Sequence, residues 1–244
     1  KRMINLSRPT NIPKSLQRPE IQRYLKELQE YKDGNIALEP KKPGSYRSCD
    51  LLDAFRDHFF SKCWLTERKV EDAAELEVDH MIPQGEAPER IYDWTNLYPI
   101  DPKANKIRPK KTPLGGYLDP CEPSEDVENE IQYILLPDGQ TICFAGLDSE
   151  NQKARNTAEL LDIVHNGRKG DVDSHRSTNG LRECIRKRRE QILVLALRYF
   201  TVDNSLEKKR LEFQLKHYFS RQAEFTMLMR HSEVGQLLKE FHID

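Results

Sequence analysis

Four residues in one stretch of this chain are of the types that together cleave a phosphodiester bond. Asp79 and His80 are adjacent in Val78-Asp79-His80-Met81-Ile82-Pro83, Asn96 follows sixteen residues after the histidine, and Asn105 nine after that. Metal-assisted phosphodiester hydrolysis needs a cation on the phosphate oxygens, a base to deprotonate water, and a group that holds the base in place. Asp79 is a hard oxygen ligand suited to Mg²⁺ or Mn²⁺, and Asn105 can add an amide oxygen, leaving positions for water and phosphate. His80 titrates near neutrality, so its neutral imidazole can serve as the base. Asn96 could hold the histidine loop through backbone hydrogen bonds and fix the direction of the ring. A plainer account fits the same residue types: an Asp-His pair is common, Asn96 suits a cap or turn, and Asn105 suits a solvated helix position.

These side chains need a short, rigid frame. The pattern from Cys63 to Pro113 predicts a strand at Cys63-Trp64-Leu65-Thr66, an acidic connection, a second strand over Leu76 to Ile82, a loop, then Asn96 and a short helix around Pro102 to Ile107. Ile131 to Leu135 and Thr141 to Phe144 flank Pro137-Asp138-Gly139 and predict a hairpin that braces the site. Before this region lies a proline-punctuated arm (Pro9, Pro13, Pro19). A helix starting on Pro19 carries Ile21, Tyr24, Leu25, Leu28 and Tyr31 and ends at Asp33-Gly34, and a second carries Leu51, Leu52, Phe55 and Phe59. Beyond residue 150 the pattern predicts helices at 151–164, 181–200, 205–219 and 221–241, with a mobile loop from Asn166 to Asn179. The expected fold is therefore α+β: an N-terminal arm and helices (1–61), a small core with its hairpin (62–150), and a C-terminal helical region (151–244), wrapped as one unit.

Charged residues make up 32% of the chain against 37% hydrophobic, but the net charge of −1 hides local asymmetry. Lys103, Lys106, Arg108, Lys110 and Lys111 follow or flank the predicted active-site helix, where they could neutralise phosphates on either side of a scissile bond; the alternative is a solvated helix end. The run Arg182 to Arg189 is better explained as the basic edge of an amphipathic structural helix. His165, His175, His217, His231 and His242 share no ligand-like spacing and receive no role. Five cysteines at 49, 63, 121, 143 and 184 argue against a disulfide framework and point to a reducing, cytoplasmic compartment. No apolar run approaches the roughly 20 residues of a membrane span, and no phosphate-binding Gly-x-x-x-x-Gly-Lys motif is present, so any ATP requirement must come from a partner.

The stretches Cys63-Trp64-Leu65-Thr66-Glu67, Glu77 to Pro83, Asp93-Trp94-Thr95-Asn96-Leu97 and Ala104-Asn105-Lys106 resemble the HNH endonucleases, and within them the PtuB-like subgroup of Septu-type and retron-associated anti-phage systems. The likeness continues through Leu118-Asp119-Pro120-Cys121-Glu122 and Asn156 to Leu161, covering roughly residues 1 to 200. It implies a ββα-metal core with Asp79 and Asn105 as metal ligands, His80 as base and Asn96 as orienter. It also implies an effector nuclease working with an SMC/ABC-type, PtuA-like ATPase, and with a retron reverse transcriptase and its reverse-transcribed DNA if the system is of that kind. DNA is the favoured substrate over an RNA such as tRNA. One departure matters: relatives carry two CxxC pairs that bind a structural zinc, whereas here those positions read Cys63, Thr66, Asp101 and Ala104. No structural zinc is expected, and packing by Trp64, Trp94 and Tyr98 must hold the loop instead. The missing thiols favour a rival reading, a catalytically silent HNH-fold adaptor; the retained Asp79, His80, Asn96 and Asn105 weigh against it.

Overall fold

The computed structural model describes residues 6–136, 138 and 141–243. Helix α1 (Pro19–Lys32) starts with proline in its first turn, where a missing N–H costs nothing because that donor has no helical acceptor. It buries Ile21, Tyr24 and Leu28 on one face, and α2 (Cys49–His58) buries Leu51 and Phe55. These side chains form an apolar cluster with Val78, Trp94, Leu97 and Tyr98.

At the centre lies a two-stranded antiparallel sheet. Strand β1 (Glu77–His80) pairs with β2 (Leu97–Ile100), placing Asp79 opposite Tyr98 and His80 opposite Leu97; α3 (Pro102–Ile107) follows at once. The strand expected at Cys63–Thr66 is instead a turn, pinned to the sheet by the Trp64 N–H donating to the Pro99 carbonyl at 2.9 Å. Pro99 is what disguised the true partner strand, because a proline cannot donate to a ladder and ordinarily argues against a strand. Helix α3 starts where Asp101 Oδ1 accepts from the backbone N–H groups of Lys103 and Ala104, satisfying donors that the first turn leaves open.

The sheet sits between two cores: Val78, Leu97 and Tyr98 belong to the cluster under α1 and α2, while Leu76 and Ile100 belong to a larger one with Ile107, Leu118 and Leu161. That second core is built by α4 (Val127–Glu130), the hairpin β3 (Ile131–Leu135) and β4 (Ile142–Gly146), and α5 (Gln152–Asn166), which packs on the hairpin. Of the turn expected at Pro137-Asp138-Gly139, Pro137 and Gly139 lie outside the described residues. Helix α5 also fastens the chain that leaves α3. Asn156 Nδ2 donates to the carbonyls of Leu114 and Gly116 at 2.9 and 2.8 Å, and Thr157 Oγ1 accepts from the Leu118 N–H at 2.8 Å.

Two expectations for the C-terminal region need correcting. The segment Asn166 to Asn179 is not a loose loop: it contains α6 (Val172–Ser177), capped by Asp171, and Gly167, at φ +90°, lets the backbone pass so close to His175 that any Cβ there would clash. Helices α7 (Asn179–Thr201) and α8 (Ser205–Tyr218) follow as a pair. The single helix expected over 221–241 is broken into α9 (Thr226–His231) and α10 (Glu233–Leu237). Phe225 takes a left-handed conformation before α9, and Ser232 caps α10 through the Gly235 N–H. A Cβ at Gly235 would lie 2.0 Å from the Met229 carbonyl oxygen, so the break needs a glycine. No helix of the described residues is long and apolar enough to cross a membrane.

Candidate active site

Asp79, His80, Asn105, Arg108 and Lys110 line one open cleft with Tyr46 and Gln84. His80 closes β1 and is 6% exposed. Its Nε2 lies 3.0 Å from the Ile91 carbonyl oxygen. A carbonyl can only accept, so Nε2 carries the proton and Nδ1 the lone pair. Gln84 Nε2 approaches that Nδ1 at 3.4 Å, long for a hydrogen bond, and the Tyr46 ring stands edge-on at 5.1 Å. Burial pushes the His80 pKa down, against the pull of the Ile91 carbonyl and the Asp79 carboxylate, which keeps the ring neutral and able to accept a proton.

Asn96 is 1% exposed and ends a short 3₁₀ turn just before β2. Its Oδ1 accepts from the Ile82 N–H at 2.8 Å, and its Nδ2 donates to the carbonyls of Ile82 at 3.0 Å and Arg90 at 3.3 Å. One side chain thus ties the strand exit after His80 to the loop that supplies Ile91. Its hydrogen bonds go not to the imidazole but to the backbone on either side of it.

The other half of the cleft is charged. Asp79 Oδ2 accepts from Trp64 Nε1 at 3.0 Å and from the Arg108 guanidinium. Burial pushes the Asp79 carboxyl up, opposed by Arg108 and Trp64. Glu77 and Asp79 lie two apart on β1 and so share a face. Glu77 Oε2 accepts from Asn105 Nδ2 at 2.7 Å, which orients the amide and leaves Asn105 Oδ1 without a hydrogen bond among the described residues, as is Asp79 Oδ1. Two hard oxygen donors on one cleft fit a magnesium-like ion that keeps several waters. No group of three or more His, Cys, Asp or Glu side chains able to hold a metal exists among the described residues, so any ion here would rest on this Asp-Asn pair.

Cys63, Thr66, Asp101 and Ala104, the four positions compared above with a zinc site, come together around one turn and the start of α3. Cys63 is fully buried and accepts from the Thr66 N–H at 3.4 Å; Asp101, besides capping α3, pairs with Arg68 at 2.6 Å, and Ala104 is buried against the same core as Cys63. A thiol in a turn, a helix cap and a salt bridge join the two segments. The loop before β2 is held by aromatic packing, with Trp94 stacked on Phe55 and Trp64 4.8 Å from Tyr98. Arg8 adds a clamp with no local signature in the chain: its guanidinium lies 4.6 Å from the Trp94 ring and 4.5 Å from Tyr98, and donates to the carbonyls of Trp94 and Leu97.

The expected basic residues separate. Lys110 lines the cleft and donates to the Asn105 carbonyl at 2.7 Å. Lys106 and Lys111 are exposed, and Lys103 borders a different pocket with Arg68 and Asp101. Arg108 is no surface cation: only 2% exposed, it is drawn inward by Asp79. Lys42, from the segment between α1 and α2, reaches Gln84 beside His80 at 3.2 Å. Arg168 was also missed. From the turn before α6 it donates to the carbonyls of Ile107 at 2.7 Å and Arg108 at 3.2 Å, bracing the end of α3. Neither had a local signal, since each acts across more than forty residues of chain. Set against protein-family models, curated proteins and solved structures, the chain matches none of them, so the functional reading of this cleft rests on its own residues.

Proposed function

We propose that this protein is a metal-dependent endonuclease of the HNH type that hydrolyses phosphodiester bonds, with β1, β2 and α3 as its ββα-metal core and DNA as substrate ahead of tRNA. The observation that carries the reading is the fixed tautomer of His80, whose basic Nδ1 shares one cleft with Asp79 and Asn105. A divalent ion, Mg²⁺ or Mn²⁺, held by Asp79 and Asn105 would supply Lewis acidity toward the phosphate oxygens. His80 Nδ1 takes the proton of the attacking water. The resulting imidazolium is supported by the Ile91 carbonyl and the neighbouring Asp79, the same groups that raise its pKa. Asn96 keeps the ring aimed by holding the backbone on both sides of it, and Lys110 offsets phosphate charge at the rim.

Following the resemblance, the protein would act in the cytoplasm as the nuclease of an anti-phage complex with an SMC/ABC-type, PtuA-like ATPase. A retron reverse transcriptase with its reverse-transcribed DNA would be a further partner in systems of that type. One observation favours the rival, a catalytically silent adaptor: Arg108 sits on the carboxylate that a metal would need.

Cleavage of plasmid, single-stranded DNA and total tRNA, by the protein alone and with its ATPase partner in Mg²⁺ or Mn²⁺, separates the two. His80→Ala should lower the rate about 10²- to 10⁴-fold, the range expected for loss of a general base. Equal cleavage by wild type and variant, or none by either with all partners present, would leave the adaptor.

A further inference from the structure

We propose that Arg108 competes with the metal for Asp79, so that the cleft accepts its cation only when the guanidinium gives up the carboxylate. This rests on reading Asp79 and Asn105 as the metal pair. The two side chains are 3% and 7% exposed, so almost no water is available to screen a second positive charge. A divalent ion on Asp79 would lie beside a buried guanidinium, where like charges repel far more than they do in bulk solvent.

The side chain is free to leave and the backbone is not. Apart from Asp79, Arg108 has only long contacts: the carbonyls of His80 at 3.4 Å, Met81 at 3.5 Å and Pro109 at 3.4 Å. None replaces a charge-assisted bond. Its main chain, by contrast, is anchored at both ends, through its N–H to the Ala104 carbonyl at 2.9 Å and through its carbonyl to Arg168 at 3.2 Å. Arg108 lines the open cleft next to Lys110, so a guanidinium displaced from Asp79 has a route to the face where phosphate would bind. A phosphate oxygen offers it a charged acceptor in place of the single carboxylate oxygen it lost. Metal and polyanion should therefore bind with positive coupling: the ion expels Arg108 and the phosphate receives it.

Mn²⁺ alone is a sufficient probe, followed through the electron paramagnetic resonance signal of the free ion. Arg108→Gln should bind Mn²⁺ at least tenfold more tightly than wild type, and Asp79→Asn should lose binding. If Arg108→Gln binds no more tightly while Asp79→Asn still loses the ion, the competition is wrong and the metal reading stands. If neither wild type nor Arg108→Gln shows Asp79-dependent binding, both fall. A second measurement needs no variant. In ¹⁵N spectra of the wild-type protein the Arg108 Nη1–H signal, the donor to Asp79, should be protected from exchange without metal and become exchangeable on adding Mg²⁺; protection that persists at saturating Mg²⁺ overturns the inference.

Discussion

Among the described residues two arginine–carboxylate pairs are deeply buried, and they are built in opposite ways. In the C-terminal region Arg230 is set by the backbone: its Nε donates to the Phe219 carbonyl at 2.8 Å and its Nη2 to that of Ile243 at 2.5 Å, while the Glu128 carboxylate lies further off at 3.4 Å. In the cleft the carboxylate is the near partner of Arg108 and the three carbonyls are the distant ones. Burial pushes both carboxyls up and the arginine opposes it in each case. Backbone carbonyls are fixed by the chain and carry no net charge, so the Arg230 pair is a fastening between α4 and α9. A carboxylate facing a cleft can change partner. The same residue types thus serve as a rivet in one place and as an exchangeable plug in the other.

The largest effect should come from the rivet. Arg230→Met leaves Glu128 as an uncompensated buried charge and strips two carbonyls of their donor, which should cost about 3–5 kcal/mol, the range for breaking a buried pair. Urea unfolding measures it, and the loss should be the same with and without Mn²⁺. The contrast with the cleft would be broken if Mn²⁺ restored the Arg230→Met protein, or if Arg230→Met left stability unchanged.

How much of this was readable beforehand follows the range of the interactions. Helix α1 announced itself through Pro19 and the buried positions Ile21, Tyr24 and Leu28, and α3 was expected around Pro102 to Ile107, because helix starts and periodicity are local. The order Asp79, His80, Asn96, Asn105 was legible as a motif, and the structure brings Asp79, His80 and Asn105 to one cleft with Asn96 behind it. Strand β2 was hidden by Pro99, tolerated because its carbonyl, and with it the missing N–H, faces the Trp64 turn rather than β1. The break at Gly235 depends on a close approach to Met229, and the inward turn of Arg108 on a carboxylate 29 residues away. Composition gives a cationic run, but it does not say which cation is drawn inside.

The neutral half of the cleft is fastened in a third way, without an ion pair. Asn96 holds its loop with three hydrogen bonds to backbone and no charge. Asn96→Ala would leave the Ile82 N–H and the carbonyls of Ile82 and Arg90 without their Asn96 partner at a half-buried site, a loss of about 1–3 kcal/mol, the scale of one unsatisfied buried group, because water can reach part of the gap. Thermal unfolding should show the loss, and cleavage under folding conditions should fall as well, since His80 would no longer be held. Full activity in a destabilised Asn96→Ala protein would mean that the ring is aimed by Ile91 and Tyr46 without help from the loop.

The smallest effect distinguishes surface cations that the sequence treated as one run. Lys110 lines the cleft, whereas Lys103 lies beside Arg68 and Asp101 on another side of α3. Each phosphate neutralised contributes about 0.9 to the slope of log affinity against log salt on duplex DNA. Binding of a labelled duplex, measured by anisotropy across a salt series in a His80→Ala background to prevent cleavage, should show Lys110→Ala lowering that slope by about 1. Lys103→Ala should leave it unchanged, although both lysines carry the same charge and stand only seven residues apart. Both variants should melt like the parent, because neither lysine holds a buried partner. Equal slopes for the two variants would mean that the polyanion is drawn to the helix as a whole; a loss confined to Lys110 would assign its path to the face onto which Arg108 can emerge.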